Sequence, residues 1–156
     1  LAVDEWQPGV AATRYRPRSV RGYSGGTRAN RWGRDVGYLG SYQHDICSII
    51  QIESLQAVAN IAAYVAIEGI DAMLIGANDL AANMGHVGDT GARDVVAKID
   101  EAGRAIIASG KAAGFQFFDI QRARRLIESG FTLGAVAGDL NTISQGATQL
   151  LGAFGR

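Results

Sequence analysis

The strongest constraint on this chain is a repeating alternation of short apolar runs with amphipathic stretches, which begins at residue 46. Ile46-Cys47-Ser48-Ile49-Ile50-Gln51-Ile52 is a β-branched run too short to make a helix. Leu55, Val58, Ile61, Ala62 and Val65 then recur at three- and four-residue spacing, which predicts one helix stopped at Glu68-Gly69. Ala72-Met73-Leu74-Ile75 reads as a second strand, followed by a short helix over Leu80 to Met84. A longer helix from Ala92 to Ser109 puts Val95, Val96, Ile99, Ala102 and Ile106 on one face. Gly114 to Phe118 reads as a third strand. Asp119 can then cap a helix that carries Ile120, Ala123, Leu126 and Ile127 and closes at Gly130. Phe131 to Ala137 reads as a fourth strand, and Asn141 to Phe154 as the last helix.

Four strand–helix units predict an α/β fold with a parallel sheet covered by helices. Four units are half of an eight-stranded (β/α)8 TIM barrel, or most of a small doubly wound sheet, and periodicity does not choose between the two. Residues 1–13 read as the end of a helix interrupted at Pro8-Gly9, and residues 14–34 as a long Arg/Gly-rich loop. The whole chain, residues 1–156, reads as a single partial domain.

Composition removes several classes. The 156 residues are enough for one domain, and 47% apolar content excludes disorder of the chain as a whole. It has no run of 18 apolar residues, so no membrane span or membrane partner is expected, and no secretory signal is read at its start. A single cysteine, Cys47, excludes an internal disulfide and fits a cytoplasmic setting; within an apolar run it reads as core. The first residue is Leu1, which suggests a fragment or a processed product. The net charge of zero is segregated. Residues 1–34 carry Arg14, Arg16, Arg18, Arg21, Arg28, Arg31 and Arg34 and net +5, whereas the remainder nets −5. Glycines punctuate these arginines and no further positive face flanks them. A small anion, or acidic groups elsewhere in an assembly, therefore fits them better than nucleic acid does.

In parallel α/β folds, ligands sit beyond the carboxyl ends of the strands. Each predicted strand ends near an acid: Glu53, Asp79, Asp119 or Asp139. Asp119 and Asp139 directly precede helices and read as caps. Glu53 differs, because Ser54 is available as the cap and because Glu53 shares strand parity with Gln51. Asp79 follows Gly76-Ala77-Asn78, a turn whose amides lead into a helix and could face an anion. Two carboxylates from neighbouring strand ends suit a hard divalent cation such as Mg²⁺ or Mn²⁺. The plainer alternative is an arginine partner for Glu53 and a capping role for Asp79. His44 and His86 have no metal-ligand spacing and read as loop residues. Motifs of the GxSxG, GxxxxGK[ST] and GxGxxG types are absent.

The stretch Arg14-Tyr15, Pro17-Arg18-Ser19-Val20-Arg21-Gly22-Tyr23 and Thr27-Arg28-Ala29-Asn30-Arg31-Trp32-Gly33 resembles a loop of the HpcH/HpaI aldolases, which are class II, metal-dependent pyruvate aldolases. Gln51-Ile52-Glu53-Ser54 is similar to the family's metal-binding strand, and Gly69 to Ala81 to its second one, usually G-P-x-D-L. Gly110-Lys111-Ala112-Ala113-Gly114 is similar to the approach to the seventh barrel strand. The similarity runs from about Ala12 to the end of the chain. Arg16 and Ser19 depart from the loop pattern, and Ala77 replaces the proline of G-P-x-D-L.

The resemblance implies that the chain is the carboxyl-terminal half of a barrel, about strands five to eight. It implies that Glu53 and Asp79 bind a divalent metal ion, Mg²⁺, Mn²⁺ or Co²⁺, and that Gln51, Gly76, Asn78 and Asp79 bind substrate, the Asn78 and Asp79 backbone holding the pyruvate carboxylate. The implied reaction is reversible cleavage of 2-oxo-3-deoxy or 4-hydroxy-2-oxo acids to pyruvate and an aldehyde. The family's catalytic His and Arg come from the first half of the barrel, and neither His44 nor an arginine of residues 14–34 matches them. The alternative is a doubly wound receiver or a cation- or phosphate-binding module, for which a switch point in the strand order is expected. The resemblance also implies a homo-oligomer. An open inner face bearing Ile50, Ile52 and Leu74 or their parity neighbours, and an apolar last helix, point to association as well.

Overall fold

A computed structural model describes residues 3–17 and 19–155; Arg18 of the arginine-rich loop lies outside the described residues. The first helix, α1 (Val3–Ala11), runs through Pro8 rather than breaking at Pro8-Gly9. Proline removes a single amide in the second turn, and the helix is held beyond it by Ala12 N–H donating to the Pro8 carbonyl at 2.9 Å. Where it is described, the following segment is built largely of turns and short helical pieces. A 3₁₀ turn at Arg28–Asn30 is organised around Asn30, which is only 2% exposed. Its Oδ1 accepts from the Thr27 and Gly33 amides at 3.1 Å each, and its Nδ2 donates to the Gly25 carbonyl at 2.9 Å. A short helix α2 (Tyr38–Ser41) and a 3₁₀ turn at Tyr42–His44 complete the connection.

Four strands then form one parallel sheet in the order β1-β2-β3-β4: β1 (Ile49–Ile52), β2 (Ala72–Ile75), β3 (Ala112–Gln116) and β4 (Leu133–Ala135). The order is sequential among the described residues, with no switch point of the kind a doubly wound sheet uses. Between and after the strands lie α3 (Leu55–Ala59), α4 (Ile61–Val65), α5 (Ala77–Asn83), α6 (Arg93–Ala108), α7 (Ile120–Glu128) and α8 (Asp139–Ala153).

Several elements differ from their sequence pattern for local reasons. The single helix expected over Leu55–Val65 is divided at Asn60, whose φ of −97° and ψ of 6° lie in the bridge region. Cys47 is exposed and lies before β1 instead of inside a core strand. There the chain is held by the Asp71 carboxylate, which accepts from the Ser48 amide at 2.7 Å, so ladder pairing begins only at Ile49. β4 is shorter than Phe131–Ala137 because Phe131 turns into the core, where it meets Phe115 edge-on at 5.9 Å. β3 spans Ala112–Gln116, two residues earlier than expected, and Phe118 stands exposed. Gly138, in extended conformation, is the residue before α8, so Asp139 is its first residue and not its cap.

One face of the sheet is packed and the other is open. Ile50, Ile52, Met73, Ile75, Ala113 and Phe115 are buried with Val95, Ile99, Ala102 and Ile106 of α6 and Ala123 and Leu126 of α7. Each fully buried aliphatic side chain of this set contributes about 1.5–3 kcal/mol. Ile50 and Ile52 therefore belong to the helix-covered face. Their parity neighbours Ile49 and Gln51 occupy the open face with Leu74. On α7, Ile120 and Ile127 point away from the core although the pattern grouped them with Ala123 and Leu126. α8 buries none of its residues among those described.

Candidate active site at the carboxyl ends of the strands

The register of the sheet builds the site. Ile52 pairs with Ile75, Ile75 with Phe115, and Phe115 with Gly134, all on the packed side. The next residue of each strand or strand end therefore lies on the open side, giving a row of Glu53, Gly76, Gln116 and Ala135 across the sheet; Gln116 and Ala135 are themselves register partners. Beneath this row lie Gln51, Leu74, Gly114 and Leu133.

Glu53 is fixed by its neighbours without being consumed by them. Ser54 takes the capping role at α3, its hydroxyl accepting from the Ala57 amide at 3.1 Å. The Leu55 amide donates to Asn83 Oδ1 of α5 at 2.9 Å, and the Gly76 amide to the Ile52 carbonyl at 3.0 Å. The turns on either side of Glu53 are thereby tied together. The Glu53 carboxylate makes no ion pair or hydrogen bond among the described residues, so the arginine partner of the plainer reading is not found. Gly76 lies against it: a β carbon there would fall 3.0 Å from Glu53 Cβ, 3.1 Å from Oε2 and 3.9 Å from Gln51 Nε2. Gln51, Glu53 and Gly76 are thus brought together.

Asp79 lies in the first turn of α5, exposed, and its carboxylate accepts no backbone amide. The first backbone bond of the helix is Leu80 N–H to the Gly76 carbonyl at 2.9 Å. The amides of Ala77, Asn78 and Asp79 precede it and have no acceptor among the described residues. Two oxygen-donor side chains, Glu53 and Asp79, flank adjacent strand ends, but no group of three or more His, Cys, Asp or Glu side chains converges among the described residues. The donor chemistry still fits Mg²⁺ or Mn²⁺, ions commonly held by one or two carboxylates with the remaining positions left to water and substrate.

Other groups serve the frame. His86 follows α5 and meets Asp94 of α6 at 2.9 Å, which holds the Asp94 carboxyl below the usual carboxylate range. Asp119 caps α7 as expected, accepting from the Arg122 amide at 2.8 Å. Arg122 lies 3.9 Å above the Phe117 ring and donates to the Thr90 hydroxyl at 2.8 Å and to the Thr90 carbonyl, binding the 84–92 loop to α7; burial lowers its pKa. The anchor of the arginine-rich loop sits at the opposite end of the sheet. Arg14 pairs with Glu68 at 3.1 Å, and Tyr42 Oη accepts from the Tyr15 amide at 3.0 Å. The Tyr15 and Tyr38 hydroxyls lie 3.1 Å apart, which raises the Tyr15 pKa. Gln116 enters the site row without a motif to announce it. Its signal is the Phe115-Gln116-Phe117 alternation, which sends the amide to the face opposite two core rings.

A model of the HpcH/HpaI aldolase/citrate lyase family matches residues 4–145. The hydroxypyruvate/pyruvate aldolase of Cupriavidus necator is 40% identical over 146 residues, 93% of this chain and 54% of that protein. The 4-hydroxy-2-oxo-heptane-1,7-dioate aldolase of Salmonella heidelberg is 38% identical over 153 residues, 97% of this chain and 58% of that protein. A crystal structure of an HpcH/HpaI aldolase/citrate lyase family protein from Burkholderia cenocepacia J2315 superposes with a TM-score of 0.91 at 29% identity, covering 99% of this chain and 62% of the other. The chain spans about half the length of the curated relatives it matches. Sequence and structure together place this chain in the HpcH/HpaI aldolase/citrate lyase family.

Proposed function

We propose that this chain is one partial barrel domain, strands five to eight of a (β/α)8 fold, carrying the metal and pyruvate-carboxylate sites of a class II pyruvate aldolase. The observation that carries the reading is the unpartnered Glu53 carboxylate beside Gly76, level with it at the carboxyl ends of adjacent strands. The relatives' names support pyruvate and a 4-hydroxy-2-oxo acid as the substrate class. The sequential strand order supports a barrel segment over a doubly wound module.

In this reading Glu53 and Asp79 hold a divalent cation, Mg²⁺, Mn²⁺ or Co²⁺. Bound there, such an ion supplies Lewis-acid polarisation of the 2-oxo group. The free amides of Asn78 and Asp79 receive the substrate carboxylate, the α5 dipole adding to their attraction. Gly76 keeps the floor of the site low, so that substrate approaches the backbone closely. Gln51, on the same face, orients the oxo acid through its amide. In cleavage, the bond between C3 and C4 of the oxo acid breaks. The proton of the 4-hydroxyl passes to a base, C4 leaves as the aldehyde, and the electron pair remains with the pyruvate fragment until C3 is protonated. By the family resemblance, the base and an accompanying Arg belong to the other half of the barrel.

The test is pyruvate binding in the presence of Mn²⁺, followed by calorimetry. The expected result is saturable binding that disappears in Glu53→Gln; equal binding by both proteins overturns the reading.

A further inference from the structure

We infer that Gln116 is a specificity-determining residue for the end of the substrate remote from Glu53, selecting ligands that place an oxygen there. The inference deepens the aldolase reading and rests on it.

Gln116 closes β3 and is exposed on the open face, while Phe115 and Phe117 on either side of it are buried. Its position is held from behind. Phe115 meets Phe131 edge-on, Phe117 lies under the Arg122 guanidinium at 3.9 Å, and the Phe117 amide donates to the Ala135 carbonyl at 3.1 Å. In the row Glu53, Gly76, Gln116, Ala135, the residues on both sides of Gln116 lack polar side chains. Two strand spacings separate it from Glu53, about 10 Å between backbones. Side chains reaching from both positions would embrace a ligand of five to seven carbons, with its oxo acid end at Glu53 and its far end at Gln116.

The Gln116 amide makes no hydrogen bond among the described residues, and it offers both a donor and an acceptor. A hydroxyl or ether oxygen from the acceptor aldehyde can satisfy it, whereas an alkyl chain in the same place strips its water and returns nothing. Gln116 touches neither the oxo group nor the carboxylate in this arrangement. Pyruvate, which lacks the distal atoms, therefore reports on the Glu53 end alone.

The experiment compares competition with pyruvate by 5-methoxy-2-oxopentanoate and by 2-oxoheptanoate, an isosteric pair that lacks a 4-hydroxyl and cannot be cleaved. Wild type is expected to prefer the ether about fivefold, the scale of one exposed hydrogen bond. Gln116→Leu is expected to erase or invert that preference while still binding pyruvate, and Gln116→Asn to recover part of it. A wild type with no preference, or a Gln116→Leu protein that keeps it, overturns the inference while leaving the aldolase reading intact. Failure of wild type to bind pyruvate overturns both.

Discussion

Gly76 holds Glu53 in place by what it lacks: a β carbon at Gly76 would fall 3.0 Å from Glu53 Cβ and 3.1 Å from Oε2. Both distances are tighter than side chains ordinarily accept, and the Gly76 φ of −82° suits any residue. Space, not backbone conformation, selects glycine here. Gly76→Ala is expected to fold with a loss of about 1–3 kcal/mol and to bind Mn²⁺ about tenfold more weakly, as displaced support of a metal ligand does. Chemical denaturation and Mn²⁺ titration of the same variant separate the two effects.

Ala77 is the first residue of α5, where the family pattern has proline, and its amide has no acceptor among the described residues. Proline is tolerated at this helix position and narrows the unfolded ensemble. Ala77→Pro is expected to stabilise the protein by about 0.4–1 kcal/mol, a rise of about 1–4 °C in Tm for a chain of this size. Differential scanning calorimetry checks it, and a fall in Tm contradicts the assigned start of α5.

Asp94 titrates below the usual carboxylate range, chiefly through its hydrogen bond with His86. Its pKa is lower folded than unfolded, so its stabilisation is present above about pH 4, the ordinary carboxylate value, and is lost as pH falls through the folded value. Thermal midpoints measured from pH 7 down to pH 3 are expected to fall more steeply in wild type than in Asp94→Asn. Parallel curves would remove His86–Asp94 from the account of acid sensitivity.

Among the described residues β1 and β4 are the edges of the sheet, α8 presents Leu140 and Ile143 at 81% and 69% exposure, and Phe154, which follows α8, is 80% exposed. Unpaired edges and apolar stripes of this kind drive association. Light scattering at low micromolar concentration in ~0.5 M salt, which screens the opposed charges of the two chain regions, is expected to give a mass above the 16.4 kDa of one chain. A monodisperse single-chain species contradicts this.

Where periodicity met a complete local signal, the sequence was legible. β2 runs over Ala72–Ile75 as its apolar run predicts, and α6 starts and ends within a residue of its pattern; Val95, Ile99, Ala102 and Ile106 of its expected stripe are buried, whereas Val96 is only half-buried at the margin. Glu53 could be set apart from the capping acids because Ser54 supplied a cap next to it. Other features depend on tertiary partners that no local pattern carries. Phe131 leaves its strand to fill space against Phe115, and the Asp71 carboxylate holds the approach to β1 so that Cys47 stays outside the sheet. Gln116 could be assigned a face from its own strand, but its alignment with Glu53 and Gly76 exists only through the register of three strands.

The assignment of Glu53 and Asp79 as cation ligands is tested by a Mn²⁺ titration of wild type, Glu53→Gln, Asp79→Asn and the control Glu68→Gln, followed by electron paramagnetic resonance of the free ion. Glu68 carries a comparable carboxylate but is paired with Arg14 at the far end of the sheet. One saturable site is expected in wild type and in Glu68→Gln, weakened at least tenfold in each of the other two variants. Equal Mn²⁺ binding by all four proteins would contradict the assignment.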